Sequence, residues 1–191
     1  MPVSAQNVLI QPASGRAVSF FGNRAIFKVR GDQTSGAFSI TEVVLAPSGT
    51  LVPPHRHEKM AEVSYILEGT LGVMVAEQEF QAGPGSFVIR PKGVPHALWN
   101  MSDRPVRTLE ISMPGGFDAW AEELARLASA TPPASLEQLF DAARRYDAIF
   151  LPELAPPLIN KYKLRMPGEA APSTEVRASR RQPSRVASPR R

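Results

Sequence analysis

The chain has no cysteine among its 191 residues. That absence excludes disulfides, thiolate metal sites and a cysteine nucleophile together, and it leaves nitrogen and oxygen as the only ligands for a metal. Histidine is scarce as well. With three in the whole chain, any imidazole-based site must draw on His55, His57 and His96. No apolar run approaches the roughly 20 residues a membrane-spanning helix needs, and the opening MPVSAQNVLIQPASG has neither a basic start nor a sustained apolar stretch. The chain is therefore expected to be soluble and cytoplasmic, with no membrane partner. Its length fits one domain with an extension, and a domain of that size buries a core without disulfides.

Net positive charge is present, at +4, but it is unevenly placed. From Lys161 onward nine basic residues stand against two acidic ones, which leaves 13 basic and 16 acidic residues in the first 160. The folded part is mildly acidic and the basicity belongs to a tail. That tail is rich in Pro, Ser, Ala and Arg and has too little apolar surface to offset its chain entropy. It is expected to be disordered and solvated, and a nucleic-acid partner is not expected.

Residues 17–112 carry short β-rich runs (AIFKVR, AFSITEVVLA, AEVSYILEG, LGVMVA, SFVIR, HALWN, VRTLEIS) separated by Gly and Pro. Their period-two alternation and regular turn signals predict a mainly β barrel or jelly roll. After Met113-Pro114-Gly115-Gly116 the period changes: Phe117, Trp120, Leu124 and Leu127 share one helical face. A second helix is signalled by Ser135 with Gln138 three residues later, a capping box. These helices are expected to pack outside the β body or against a second subunit. The organisation reads as an N-terminal strand or arm over 1–35, a barrel core over 36–113, a helical extension over 114–160 and the tail over 161–191.

The chemistry concentrates in two segments. His55 and His57 are two apart, so in a strand both point to one side. Glu62 follows a short turn, and His96 opens a separate alternating run, His96, Leu98, Asn100. All three histidines fall in these segments. Neutral imidazoles with one carboxylate suit a divalent transition metal, whether iron, nickel, manganese, cobalt, copper or zinc, with positions left for water or substrate. Gly49, Gly69, Gly85 and Gly93 stand where strands must turn, and Pro91 stiffens the approach to His96.

Together the segments read G-x5-H-x-H-x4-E-x6-G from Gly49 to Gly69 and G-x5-P-x-G-x2-H-x3-N from Gly85 to Asn100. At ordinary residue frequencies five fixed positions match by chance at about one start in a million, so two matches in order are informative. They resemble the paired motifs of the cupin superfamily. The resemblance covers about residues 35–112 and implies a cupin jelly-roll barrel with one metal held by His55, His57, Glu62 and His96. It also implies a homodimer formed through edge strands and exchanged N-terminal segments.

The wider layout of single barrel, Gly-Gly-Phe helix, Pro-Pro break and second helix is similar to small bacterial quercetin dioxygenase-like cupins. What that implies is a metal-dependent dioxygenase taking O2 and an aromatic or enolic small molecule. Glu62 would then be the catalytic residue, either as a fixed ligand or as acceptor of the substrate's hydroxyl proton with a raised pKa. Met60, Tyr65, Phe87 and Leu98 are candidates for the substrate pocket; alternation from His96 turns Leu98 inward and Trp99 outward. Two alternatives stay open: a redox-neutral metal-dependent cyclase, isomerase or lyase, and a non-catalytic small-molecule-binding cupin.

Overall fold

The computed structural model describes residues 9–132 and 134–169. Among them the strands are β1 (Ala17–Phe20), β2 (Asn23–Val29), β3 (Ser39–Leu45), β4 (Thr50–Arg56), β5 (Ala61–Glu68), β6 (Leu71–Val75), β7 (Gln78–Ala82), β8 (Phe87–Arg90), β9 (His96–Asn100), β10 (Val106–Met113) and β11 (Ile149–Phe150). The helices are α1 (Phe117–Ala128), α2 (Leu136–Arg144) and α3 (Ala155–Tyr162). A six-stranded sheet, ordered β1-β2-β3-β10-β5-β8, faces a five-stranded one, ordered β11-β4-β9-β6-β7, and the fold is mainly β with two antiparallel sheets. None of the described helices is long and apolar enough to cross a membrane.

Alternation decides what each strand presents to the interior. In β10, Val106, Thr108, Glu110 and Ser112 are buried while the residues between them are half-exposed; in β5 the inward set is Glu62, Ser64 and Ile66. Register aligns these sets into rows across the sheet. Ser39, Ser112, Glu62 and Arg90 form one row, and Thr41, Glu110 and Ser64 the next. Val43, Thr108 and Ile66 follow, and Leu45 pairs with Val106 at the far end. The inner wall therefore grades from polar and charged at one end to aliphatic at the other, where the core of Val43, Leu45, Ile66, Leu71, Val73, Val88 and Val106 sits.

In the opposite sheet, β9 is buried on both faces. His96 and Leu98 of β9 face inward, while Ala97 and Trp99 are covered by α3 through Ala155, Leu158 and Tyr162. Trp99 is fully buried and stacks on Tyr162 with ring centroids 4.9 Å apart. The sequence reading missed α3 because APPLINKY carries two prolines, which are tolerated only because they fall in the helix's first turn.

Two expectations need correction. The first concerns α1 and α2, which line the interior cavity with Phe117, Trp120, Leu124, Leu136, Leu139 and Phe140 instead of packing only on the outer surface; the Ser135–Gln138 capping box is formed as expected. The second concerns the tail. Leu164 is buried, Arg165 bonds the Ser48 carbonyl through its guanidinium and pairs with Gly49 through its backbone. Residues 170–191, the rest of the expected disordered tail, lie outside the described residues.

The packing of Trp99 depends on a glycine. A Cβ built on Gly72 would lie 2.0 Å from the Trp99 Nε1 atom, and the indole, fully buried under α3, cannot retreat. Gly72→Ala is expected to lower stability by about 1–3 kcal/mol, read as a fall in the urea midpoint without a change in slope; an unchanged midpoint would contradict this packing.

Candidate metal centre

Prolines set the approach of the first two histidines. Pro53 and Pro54 cannot donate to the ladder, so β4 and β9 shift register between Val52 and His55, after which His55 pairs directly with His96. His57 follows just beyond β4, and Glu62 enters at the start of β5 beside Arg90 of β8. The loop before His96 is tied to the same place by a bond from the Gly93 N–H to the His57 carbonyl, 2.6 Å; Gly93 has a φ of +73°, a region where glycine carries no Cβ penalty.

The structure brings His55, His57, Glu62 and His96 together, all buried, with one potential ligand atom from each within 4.8 Å of the others. Each imidazole spends its Nδ1 on a backbone carbonyl: His55 on Pro53 at 2.8 Å, His57 on Asp147 at 2.8 Å and His96 on Val94 at 3.0 Å. In the neutral ring that leaves an Nε2 lone pair, the arrangement that orients histidine ligands. His57 Nε2 and His96 Nε2 stand 3.3 Å and 3.4 Å from Glu62 Oε2. These contacts do not meet hydrogen-bond geometry, and all three atoms are buried without a hydrogen-bond partner, Glu62 Oε2 having only its ion pair with Arg90 beside it. Such separations match two ligands sharing one ion at about 2.0–2.2 Å. The donor set and its orphaned atoms thus fit a divalent transition metal, and these four residues could hold one.

Burial pushes His55 well below the usual imidazole range, aided by its two histidine neighbours, and lowers His96 in the same way. Burial also acts to lower His57, but contact with the Glu62 carboxylate outweighs it and the ring is raised. For Glu62 burial alone would raise the carboxyl; the Arg90 guanidinium and the two imidazoles reverse this and hold it well below the ordinary carboxylate value. That direction is opposite to the raised pKa expected of a proton-accepting Glu62.

Sequence reading missed the second half of the site. Arg90 lies 3.1 Å from Glu62 and also bonds Glu110. Ser64 donates to Glu110 at 2.8 Å and Thr108 at 2.6 Å. All five side chains are at most 4 % exposed. Two carboxylates here face one guanidinium, so the cluster lacks one positive charge, which a metal ion would more than supply. The signal for it was available: alternation through Val88 and Arg90, and through Val106, Thr108 and Glu110, places charged residues inward. Asp147 carried no comparable signal.

Of the pocket candidates, Leu98 lines the cavity. Tyr65 and Phe87 do not. With Glu62 and Ser64 inward, Tyr65 points out, where it packs on Phe87 at 4.6 Å, and Phe87 is 65 % exposed. Met60 is buried but lies in the turn outside the cavity wall, and Trp99 faces α3. The cavity, of about 100 Å3, is instead walled by Phe20, Leu51, Val52, Phe117, Trp120 and Phe150 among others, with His55, His57, Glu62, Arg90 and Glu110 at its polar end.

The family described as Cupin domain matches residues 41–112, the segment that holds all four candidate ligands. The chain carries a cupin domain. Solved structures of similar shape include KdgF from a Halomonas species, at 16% identity over 51% of this chain and 84% of that one, TM-score 0.46. Others are the polyketide cyclase RemF from Streptomyces resistomycificus, at 22% identity over 55% and 78%, TM-score 0.48, and a predicted oxalate decarboxylase from Thermotoga maritima, at 18% over 60% and 99%, TM-score 0.47. Likeness at this level assigns no activity to the cupin domain. Comparison with curated proteins returned no match.

His96→Ala is expected to abolish or greatly weaken metal retention while circular dichroism stays unchanged. Elemental analysis of the variant, purified without chelator, checks it: a stoichiometric metal content would sink the four-ligand assignment.

Proposed function

We propose that the chain is a metal-dependent dioxygenase acting on a small aromatic or enolic molecule. One observation carries the reading: His55, His57 and Glu62, three of the four clustered candidate ligands, line one end of a cavity whose remaining wall is almost wholly apolar. A redox-neutral enzyme acting on a polyhydroxylated substrate would need hydrogen-bonding groups along that wall. Among the described residues the polar groups there outside the charged cluster are Asn23, whose amide oxygen is already engaged by the Ala46 N–H, and the Trp120 indole.

A divalent transition metal bound at this site would supply a Lewis-acid centre for an ionised substrate oxygen and an electron partner for O2. The chain's own residues do the rest. The aromatic and aliphatic wall orients a flat apolar substrate and excludes water, so catalysis rests on positioning. Arg90 keeps Glu62 fixed; were Glu62 to swing away, a buried guanidinium would lose one of its two carboxylate partners. Glu62 is therefore assigned as a standing ligand in this reading. At about 100 Å3 the cavity is well below the roughly 300–1,000 Å3 of sites for drug-sized ligands. Single-ring phenols and short enols suit it better than flavonols, which would require α1 and α2 to lift.

O2 consumption by chain reconstituted with each metal in turn, over a panel of catechols, short enols and flavonols, tests this. Uptake in step with substrate loss is expected; substrate loss without O2 would turn the assignment to a cyclase, isomerase or lyase, and no loss at all to a binding protein. Glu62→Gln separates the two roles of the carboxylate. Weaker metal binding is expected of a fixed ligand, whereas full metal content with turnover lost would identify Glu62 as the proton acceptor.

A further inference from the structure

We infer that Asp147 is a positioning residue for the metal centre, and that through it the helical extension and the metal bind cooperatively; the inference rests on the metal-site reading above. Asp147 lies between α2 and β11, outside the segment matched by the cupin family. Its main-chain carbonyl accepts the Nδ1–H of His57, and its carboxylate accepts three successive backbone N–H groups, from Glu58 at 3.1 Å, Lys59 at 2.7 Å and Met60 at 2.9 Å. Those amides form the turn that leaves ligand His57 and leads to ligand Glu62. One residue thus grips both the ring orientation of one ligand and the chain path to the next.

The comparison among the three histidines gives this weight. His55 and His96 bond carbonyls two residues away in their own segments, whereas His57 depends on a residue 90 positions distant. Asp147 is itself fixed on both sides. Its N–H reaches the Arg144 carbonyl at the end of α2, Ala148 beyond it is buried, and Ile149 and Phe150 pair with Arg56 and His55 of β4. Its φ of +60° is a left-handed conformation that Asp and Asn adopt more readily than other non-glycine residues. Where docking of the extension orients His57, metal binding must by reciprocity favour that docking.

The first test is Co2+ affinity, measured against a chromophoric chelator, for Asp147→Ala, Asp147→Asn and the control Asp141→Ala, whose side chain pairs with Arg144 on the exposed face of α2. Loss of a group that orients a ligand costs about 10–100-fold in metal affinity. That loss is expected for Asp147→Ala with an altered Co2+ visible spectrum, with partial recovery in Asp147→Asn and no change in the control. Folded Asp147→Ala with affinity within about twofold of the parent, outside that range, would overturn the inference alone. A parent chain that binds no Co2+ would remove the metal-site reading and the inference with it. Amide exchange on the unmutated chain needs no variant to fold: Co2+ is expected to slow exchange at residues 58–60 and also across 142–150, and protection confined to the ligand segments would overturn the coupling.

Discussion

Arg90 stands between Glu62 and Glu110 in a part of the barrel where none of the three is more than 4 % exposed. Desolvating three ionisable side chains costs several kcal/mol each, so the strands that carry them have little freedom. A slip of one residue between β5 and β8 would send Arg90 or Glu62 to the outer face and strand the partner inside. Ser64 and Thr108 are small hydroxyl residues where valine would serve an apolar barrel better, because Glu110 has two oxygens to satisfy. The register of half the six-stranded sheet follows from this one arrangement of charge.

The segment after the matched domain completes the site rather than decorating it. β11 pairs with β4, the strand bearing His55. Phe150 sets its ring 5.4 Å from that of His55, and α1 and α2 line the cavity beside them. On the far side α3 seals Trp99, and Glu79 ties α3 to β7 through Lys161 and Tyr162. The barrel by itself would leave β4 as an open edge and the ligand cluster exposed to water, which weakens every electrostatic contact inside it.

What the sequence made legible was what is local or periodic. Motif spacing located His55, His57, Glu62 and His96, alternation located most strands, and Ser135 with Gln138 located the start of α2. Alternation also contained Arg90 and Glu110 and the outward turn of Tyr65 and Phe87, since Glu62 and Ser64 fix the phase of β5. Those followed from the same rule once it was applied along the whole strand. Asp147 and α3 were not legible. The first acts across 90 positions, through its main-chain carbonyl on His57 and its carboxylate on the amides of residues 58–60, with no spacing or period to mark it; the second depends on apolar contacts with a strand far away in sequence, and its prolines argue against a helix unless its first turn is already known.

The graded inner wall joins the charge problem to the chemistry. If the barrel were polar throughout, water would fill it and screen the Arg90 cluster. If it were apolar throughout, the cluster could not be satisfied at all. With charged rows at one end and aliphatic rows at the other, the ligand atoms stand at the boundary between the two. With a metal held there, as proposed, a molecule with an apolar body and one ionisable oxygen would meet suitable surroundings at both ends in one orientation only, because reversing it would bury the oxygen against Val43 and Leu45 and the ring against Arg90 and Glu110. The gradient that lets the barrel tolerate its buried charges would then also orient such a molecule.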